Sequence, residues 1–190
     1  MISNRLSAWV SAILLLCLAL VPFYANWSEE PFLLTFFTRV LIFSLAALSL
    51  NLILGFAGLV SFGHALYLGL GAYSVGLLAF HGIDNGWLQL LITLIACALV
   101  GAVTGFISLR TSGIAFIMIT LAFAQMFFYL VISMKQYGGD DGLSIASRSQ
   151  FGLFNLSSAT TLYYVAFAFV VAVLAWFNRL VQSPFGMVLS

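Results

Sequence analysis

Charged side chains are scarce in this chain of 190 residues: Asp, Glu, Lys and Arg together make up only 6% of it. An ordinary soluble domain carries about 25% charged residues, since it must cover its surface with polar groups. Hydrophobic residues account for 64% of the chain, and the low-energy solvent for such a composition is lipid. The composition therefore predicts an integral membrane protein and excludes an ordinary soluble domain.

Other absences narrow the function. The two cysteines, Cys17 and Cys97, both lie inside apolar runs, so neither a disulfide framework nor a zinc site has the clustering it needs. No basic run offers a surface for nucleic acid. No nucleophile–base pair, phosphate-binding loop, HExxH motif or paired intramembrane carboxylate is present. These absences argue against an enzyme, a metal site and a proton-coupled pump.

The few charges separate long uncharged stretches, and a helix needs roughly 20 apolar residues to cross a bilayer. We predict an all-α, polytopic transmembrane helical bundle of about six membrane-spanning helices, with residues 1–190 as a single transmembrane domain. A signal peptide is the alternative for the first stretch, but its long apolar core and Pro22 favour a retained helix. The predicted crossings are residues 6–28, two within 39–84, 85–109, 111–134 and about 161–177.

The distribution of positive charge predicts the orientation. In a six-helix topology Arg5, Arg110 and Arg179 fall on one side of the membrane, with no acidic residue among them. The positive-inside rule places this side in the cytoplasm. We therefore predict a multi-pass protein with a cytoplasmic N-terminus.

Glycine is dense in residues 51–76, and each glycine costs a helix roughly 1 kcal/mol relative to alanine. Gly55, Gly58 and Gly63 stand there with Ser61 and His64, which combines flexible backbone and polar groups in an uncharged stretch. Non-helical backbone at membrane depth occurs only where it lines a cavity or is buried in protein. We predict either a broken or re-entrant segment near a substrate path, or a short cytoplasmic turn between the second and third helices.

Polar residues in the predicted helices leave further alternatives. His64 has no metal-binding partner nearby in sequence, so a capping or packing role is the simpler interpretation. Gln125 in mid-membrane is costly unless hydrogen-bonded, and it either bonds a neighbouring helix or lines a pathway. Gly101 and Gly105 in the fourth helix form a small-xxx-small packing signal.

Residues 136–143 combine three glycines with Asp140 and Asp141. Glycine favours tight turns, and the acids favour exposure. We predict an external loop that is a solvated turn, a contact with a partner, or a segment that helps to close a gate.

Taken in order, several stretches resemble one known family. Residues 50–73 read LNLILGFAGLVSFGHALYLGLGAY, residues 110–126 read RTSGIAFIMITLAFAQM, residues 138–143 read GGDDGL and residues 183–186 read SPFG. This ordered set resembles the branched-chain amino-acid ABC transporter permease family, and it is closest to the LivM-like subunits. A sister group of permeases handles urea and short amides.

The resemblance implies a permease subunit of the bacterial inner membrane that needs no cofactor and moves branched-chain amino acids by alternating access. It also implies a second permease subunit, two cytoplasmic ATPase subunits and a periplasmic substrate-binding protein, and no nucleic acid. A urea or short-amide permease and a passive channel-like or structural subunit are the alternatives.

The same resemblance suggests three groups of functional residues. The substrate pathway is expected at Asn51, Gly55, Gly58, Ser61, Gly63, His64, Thr120 and Gln125. The external loop or gate is expected at Gly138, Gly139, Asp140, Asp141 and Gly142. The cytoplasmic coupling turn is expected at Ser183, Pro184, Phe185 and Gly186.

The sequence departs from the family pattern after the coupling turn. Members of the family carry a basic residue there, followed by a cytoplasmic coupling helix and further membrane helices. Here Met187 takes that position and the sequence ends at Ser190. We therefore expect the N-terminal part of a longer family domain, without the piece that contacts the ATPase.

Overall fold

A computed structural model describes residues 2–28, 30–55, 58–145, 149–152 and 158–181 of the protein. This part of the chain is almost entirely helical, as its composition predicts. Two single-turn 3-10 helices, Lys135–Tyr137 and Gly139–Asp141, follow the fifth α-helix. Within the described residues the α-helices are α1 (Ile2–Trp27), α2 (Pro31–Gly55), α3 (His64–Phe80), α4 (Gly86–Ser108), α5 (Ile114–Ser133) and α6 (Ala159–Val181).

The helices follow in the predicted order, so the all-α class is confirmed, but α2 begins at Pro31 and contains Arg39, which the predicted stretch placed at its end. Among the described residues, α2, α4, α5 and α6 are long and apolar enough to cross a membrane. The described apolar part of α1, Ile13–Ala25, is shorter, and α3 has 17 residues. At 1.5 Å per residue α3 is about 26 Å long, slightly less than the ~30 Å hydrocarbon core of a bilayer.

The polarity of the helices is the reverse of that in a soluble bundle. Large apolar side chains along α4 and α5, such as Leu99, Phe106 and Met126, are exposed. Polar side chains are buried instead, namely Thr38, Gln89, Thr104, Ser108 and Thr120. An apolar outer surface of this kind is suited to contact with lipid, where water cannot satisfy polar groups.

The chain forms two compact units. The first comprises Met1–Leu45 and Ser157–Val181, and within it α1 packs against α6. The described residues of the second lie within Ala46–Leu156. In the second unit α3 packs against α4 and α5, and α4 packs against α5.

The turn from α3 to α4 follows directly from local sequence. Gly82 takes a positive φ of 75° just after α3, and the amides of Gly82 and Ile83 donate to the carbonyls of Ala79 and Leu78. This pair of hydrogen bonds is a Schellman motif, which ends a helix. The Oδ1 of Asn85 then accepts from the amide of Trp87 at 3.1 Å and caps α4, so the two helices form a tight hairpin.

Pro22 leaves one backbone carbonyl of α1 without its helical hydrogen bond, and a side chain of α6 supplies the missing donor. Proline has no amide hydrogen, so the carbonyl of Leu18, four residues earlier, loses its helical partner. The hydroxyl of Tyr163 on α6 donates to that carbonyl at 2.5 Å. Tyr163 is 0% exposed, so this hydrogen bond lies in the core of the first unit.

Replacing Tyr163 by phenylalanine should destabilise the first unit, because the half-buried Leu18 carbonyl loses its donor. We expect the unfolding midpoint of the detergent-purified protein to fall, corresponding to a loss of about 1–3 kcal/mol. Tyr164→Phe changes the exposed neighbour and should leave the midpoint unchanged. Equal midpoints for the two variants would contradict this role of Tyr163.

Candidate functional site

The start of α3 is held against the backbone of α5. A Cβ added at Gly63 would lie 2.9 Å from the carbonyl oxygen of Thr120 and 3.2 Å from its Cβ. Real Cβ atoms do not approach a carbonyl this closely, so only glycine permits the contact. Gly63 is buried and forms the N-cap of α3. The glycine thus sets where α3 begins.

This contact also sets the depth of the segment before α3. Thr120 is the seventh residue of α5 (Ile114–Ser133), about 9 Å along the helix axis from its start. The 20 residues of α5 span about 30 Å, the thickness of a hydrocarbon core. The connection from α2 to α3 therefore reaches about a third of the way along α5, deeper than a turn that stays level with the helix ends.

A cavity of about 250 Å³ opens beside this segment, inside the second unit. Its walls come from the end of α2, the segment before α3, and the facing sides of α3, α4 and α5. The residues that line it are Ile53, Leu59, Ser61, Gly63, His64, Leu66, Tyr67, Thr104, Gly105, Ser108, Leu109, Phe116, Thr120 and Phe123. Hydroxyl groups and an imidazole thus share one cavity with aliphatic and aromatic side chains.

Hydrogen bonds hold the polar walls of the cavity in place. Thr104 donates its hydroxyl to the carbonyl of Val100 at 2.8 Å and therefore accepts from the Tyr67 hydroxyl at 2.7 Å. Ser49 donates to the carbonyl of Ala46 at 2.9 Å, so it accepts from Nε2 of His64 at 2.6 Å. The first pair connects α3 to α4, and the second connects α2 to the first residue of α3.

The structure brings together four of the residues predicted for the pathway and separates the others. Ser61, Gly63, His64 and Thr120 all line the cavity. Asn51, Gly55 and Gly58 are exposed outside it. Gln125 lines a different groove of about 260 Å³ between α3 and α5.

Three polar residues that line the cavity were missed by sequence analysis. Thr104 and Ser108 lie four apart on one face of α4, and Tyr67 lies opposite them on α3. The spacing of the two hydroxyls in an otherwise apolar helix was the available signal. Of the Gly101–Gly105 pair, only Gly101 packs closely against a neighbouring helix, since a Cβ there would contact the Tyr67 ring at 3.7 Å. Gly105 faces open space.

The loop after α5, predicted to be external, is a set of tight turns. Gly138, Gly139 and Gly142 all have positive φ, and Asp140 and Asp141 are exposed in the second 3-10 turn. The Gly139–Asp141 turn packs against α5. The loop is therefore compact, with its carboxylates on the surface.

The chain after this loop fastens the α3–α4 hairpin at the end remote from the cavity. The amide of Gln150 donates to the carbonyl of Asp84, and the amide of Gly86 donates to the carbonyl of Gln150, both at 2.8 Å. Trp87 Nε1 donates to the carbonyl of Phe151 at 3.2 Å. These bonds tie the loop and the hairpin into one structure.

One predicted feature lies outside the residues that the structure describes. The coupling turn, Ser183 to Gly186, lies outside the described residues. A metal centre needs a cluster of ligands, and within the described part of the chain no three His, Cys, Asp or Glu residues are grouped to hold a metal ion.

Comparison with known proteins agrees with the family resemblance of the sequence. Residues 32–190 match the family described as branched-chain amino acid transport system / permease component. The chain is 29% identical over 173 residues to the high-affinity branched-chain amino acid transport system permease protein LivM of Escherichia coli strain K12. It is 28% identical over 174 residues to the protein of that name from Salmonella typhimurium strain LT2.

Each of these alignments covers 78% of this chain and 41% of the relative. The chain thus spans about two fifths of the length of the relatives it matches. No solved structure matches it significantly.

Adding one methyl group at Gly63 should disturb the start of α3. In Gly63→Ala the new Cβ collides with the Thr120 carbonyl, and overpacking of this kind costs about 1–3 kcal/mol. We expect a lower unfolding midpoint in detergent. Gly69→Ala on the same helix is the matched control, because a Cβ there has nothing within 4 Å. A fall of the same size in both variants would argue against the contact.

The loop after α5 should be sensitive to Gly138. In Gly138→Ala the Cβ would collide with the carbonyl oxygen of Gly142, and φ is 94°. Gly82→Ala shares the positive φ but has nothing within 4 Å, so it isolates the collision from the backbone strain of about 1–3 kcal/mol.

Cleavage at Lys135, the only lysine in the chain, reports opening of this loop to a lysine-specific protease. We expect faster cleavage in Gly138→Ala than in Gly82→Ala or in the wild type. Equal rates in the two variants would mean that the turn does not depend on Gly138.

Proposed function

The chain belongs to the branched-chain amino acid transport system permease family, and from this premise we propose that it is a membrane-spanning subunit of an ATP-driven importer. In this proposal the subunit forms part of the path for branched-chain amino acids and carries out no covalent chemistry. Separate subunits hydrolyse ATP, and their cycle switches the path between the two sides of the membrane.

The observation that supports this proposal most directly is the cavity beside the segment before α3. Ser61, Gly63, His64 and Thr120 line it at membrane depth, where polar groups and non-helical backbone are tolerated only in protein or beside water. Its walls come from elements far apart in sequence, joined by the Tyr67–Thr104 and Ser49–His64 hydrogen bonds. Rearrangement of these elements would change access to the cavity, as alternating access requires.

Other residues are assigned roles at the surface of the subunit. Gln125 is exposed on α5, and an amide facing lipid is costly, so we assign it to the contact with a second permease subunit. The acidic loop at Asp140 and Asp141 would face a periplasmic binding protein. The turn from Ser183 to Gly186 would couple the subunit to an ATPase.

The positive-inside rule supports the orientation that this scheme needs. Arg110 lies in the turn between α4 and α5, with its guanidinium 4.3 Å from the centre of the Phe106 ring. Placing this turn in the cytoplasm puts the N-terminus of the chain in the cytoplasm as well. The membrane in this proposal is the inner membrane of a bacterium. Residues 1–190 then belong to one permease domain.

Uptake of labelled leucine tests the proposal. The protein that carries this chain is expressed with its partner subunits in a bacterium without other branched-chain uptake, and uptake is measured before and after ATP depletion. We expect saturable leucine uptake that stops when ATP is depleted. Uptake of urea or acetamide instead would indicate the sister group, and leucine uptake that continues without ATP would indicate a passive channel.

The Gln125→Leu variant in the same assay tests the assigned contact. We expect lower uptake at unchanged abundance in the membrane, because the loss affects assembly with the second subunit and not insertion. Gln136→Leu is the control, since this glutamine is exposed in the loop after α5. Wild-type uptake by Gln125→Leu would remove Gln125 from the transport machinery.

A further inference from the structure

An arginine lies inside α2, a helix long and apolar enough to cross a membrane. Arg39 is the ninth of the 25 residues of α2 (Pro31–Gly55). At 1.5 Å per residue α2 is about 37 Å long, and Arg39 lies about 12 Å from its start. When the helix is centred across a hydrocarbon core of about 30 Å, the Cα of Arg39 lies about 8 Å below the nearer boundary. A charge at this depth is costly and marks a functional contact.

The guanidinium of Arg39 has no partner in the described part of the chain. Its side chain is exposed, and no hydrogen bond or ion pair joins it to another described residue. Arg110, by contrast, lies at a helix end with its guanidinium over the Phe106 ring. An ionised group beside hydrocarbon needs an anion or a hydrogen-bond acceptor. Arg39 therefore calls for an acceptor that these residues do not supply.

Arg39 forms one end of a groove along α2. Phe32, Thr35 and Phe36 line the rest of this groove, which has a volume of about 390 Å³. They precede Arg39 by seven, four and three positions and so share its face of the helix. Side chains of a helix point toward its N-terminus, so the arginine extends along the groove toward the nearer membrane surface. Arginine brings its charge to the level of the lipid headgroups in this way.

The walls of the groove are aromatic and face outward. Phe32 is 72% exposed and Phe36 is 49% exposed. Their rings stack with centroids 6.2 Å apart, and Phe36 also meets the ring of Phe37 edge to face at 5.5 Å. These contacts give the groove an ordered apolar surface beside the arginine. The groove therefore suits a molecule that joins an anionic group to apolar chains.

The side chains around Arg39 favour lipid over another membrane helix as the occupant. Helices in membranes pack through small residues, which let their backbones approach, and the groove between α3 and α5 has Ala65 and Gly69 in its walls. The groove on α2 has two phenylalanines instead, and the exposed Phe43, one turn deeper, continues the bulky surface. A carboxylate on a partner helix would also be costly at this depth. A phospholipid carries its anionic group at the membrane surface, where the arginine reaches it.

We propose that the groove on α2 binds a phospholipid of net negative charge, whose phosphate accepts hydrogen bonds from the Arg39 guanidinium. The N–H donors of a guanidinium match a phosphate group, which takes two parallel hydrogen bonds from them. The glycerol and the upper part of the acyl chains contact Phe32 and Phe36. A headgroup without a cation of its own leaves the phosphate free to pair with the arginine. The site requires only that α2 crosses the membrane, so it does not depend on which solute the protein transports.

Lipid-dependent stabilisation of the purified protein tests the site. The protein that carries this chain is freed of lipid in mild detergent and unfolded thermally at increasing mole fractions of phosphatidylglycerol. A ligand that binds only the folded state raises the midpoint with its concentration. With the same acyl chains, phosphatidylcholine adds a cation to the phosphate and diacylglycerol lacks the phosphate, while sodium phosphate lacks the chains. We expect phosphatidylglycerol to raise the midpoint most and sodium phosphate to leave it unchanged.

Substitutions of Arg39 test the charged part of the site. In Arg39→Gln the midpoint without lipid should not fall, since no hydrogen bond or ion pair of the described chain is lost. The phosphatidylglycerol response should move to about tenfold higher mole fraction, the effect of losing a hydrogen bond to a charged group. Arg39→Lys should keep part of the response, because the charge stays and the paired donors are lost. Arg179→Gln, which removes an exposed arginine from the last turn of α6, is the matched control and should respond as the wild type does.

A second pair of variants keeps the test independent of Arg39. Phe32→Ala removes one wall of the groove and leaves the arginine in place, and so exposed a ring can be removed without opening the core. The phosphatidylglycerol response should weaken. Phe169→Ala is the matched control, because this ring on α6 is also exposed, at 57%, and does not line the groove. Its response should equal that of the wild type.

Three results would overturn the proposal. The first is an equal phosphatidylglycerol response in the wild type, Arg39→Gln and Phe32→Ala. The second is equal stabilisation by phosphatidylglycerol and diacylglycerol, which would mean that lipid chains bind without recognition of the phosphate. The third is an unchanged lipid response in Arg39→Gln together with loss of a co-purifying subunit, which would assign Arg39 to an acidic group of that subunit.

Discussion

The contact between Gly63 and the backbone of Thr120 is the constraint on which the second unit depends. It allows α3 to begin about a third of the way along α5 instead of level with the helix ends. The space that remains beside α3 becomes the cavity, because α4 and α5 continue past the point where α3 starts. A side chain at residue 63 would separate α3 from α5 and remove the geometry that brings Ser61, His64 and Thr120 to one place.

A single rule of membrane proteins explains the polar groups elsewhere in the structure. Lipid offers no hydrogen bonds, so each polar group must be satisfied by the protein. Thr38, Thr104 and Thr120 donate to carbonyls in their own helices, which lets helices carry hydroxyls without water. Pro22 leaves the Leu18 carbonyl without its helical hydrogen bond, and the Tyr163 hydroxyl of another helix donates to that carbonyl instead. Among the described residues, the buried hydroxyls of Thr93 and Ser108 have no such partner.

The polar residues of the cavity and the residues expected there differ in how well the sequence could predict their surroundings. Ser61, Gly63 and His64 are close in sequence, so a non-helical segment between α2 and α3 is enough to bring them together. Thr120 joins them only through the packing of α5 on α3. Gln125 lies on the same helix five residues later, and the resulting rotation of about 140° about the helix axis places it in a different groove. Tyr67, Thr104 and Ser108 were missed because hydroxyls in an apolar helix have the same sequence signature whether they face lipid, a neighbouring helix or a cavity.

The sequence by itself determined that this protein lies in lipid and roughly where its helices are, because both follow from the number of charged residues and their positions. It also determined the ends of helices with local causes, such as the Schellman turn at Gly82 and the Asn85 cap. Only the tertiary structure decided which polar residues share a cavity and which helix ends line it. Those relations depend on the rotation and depth of each helix against its neighbours, and such contacts join residues that lie 30 to 60 positions apart, as between Tyr67 and Thr104 or Gly63 and Thr120.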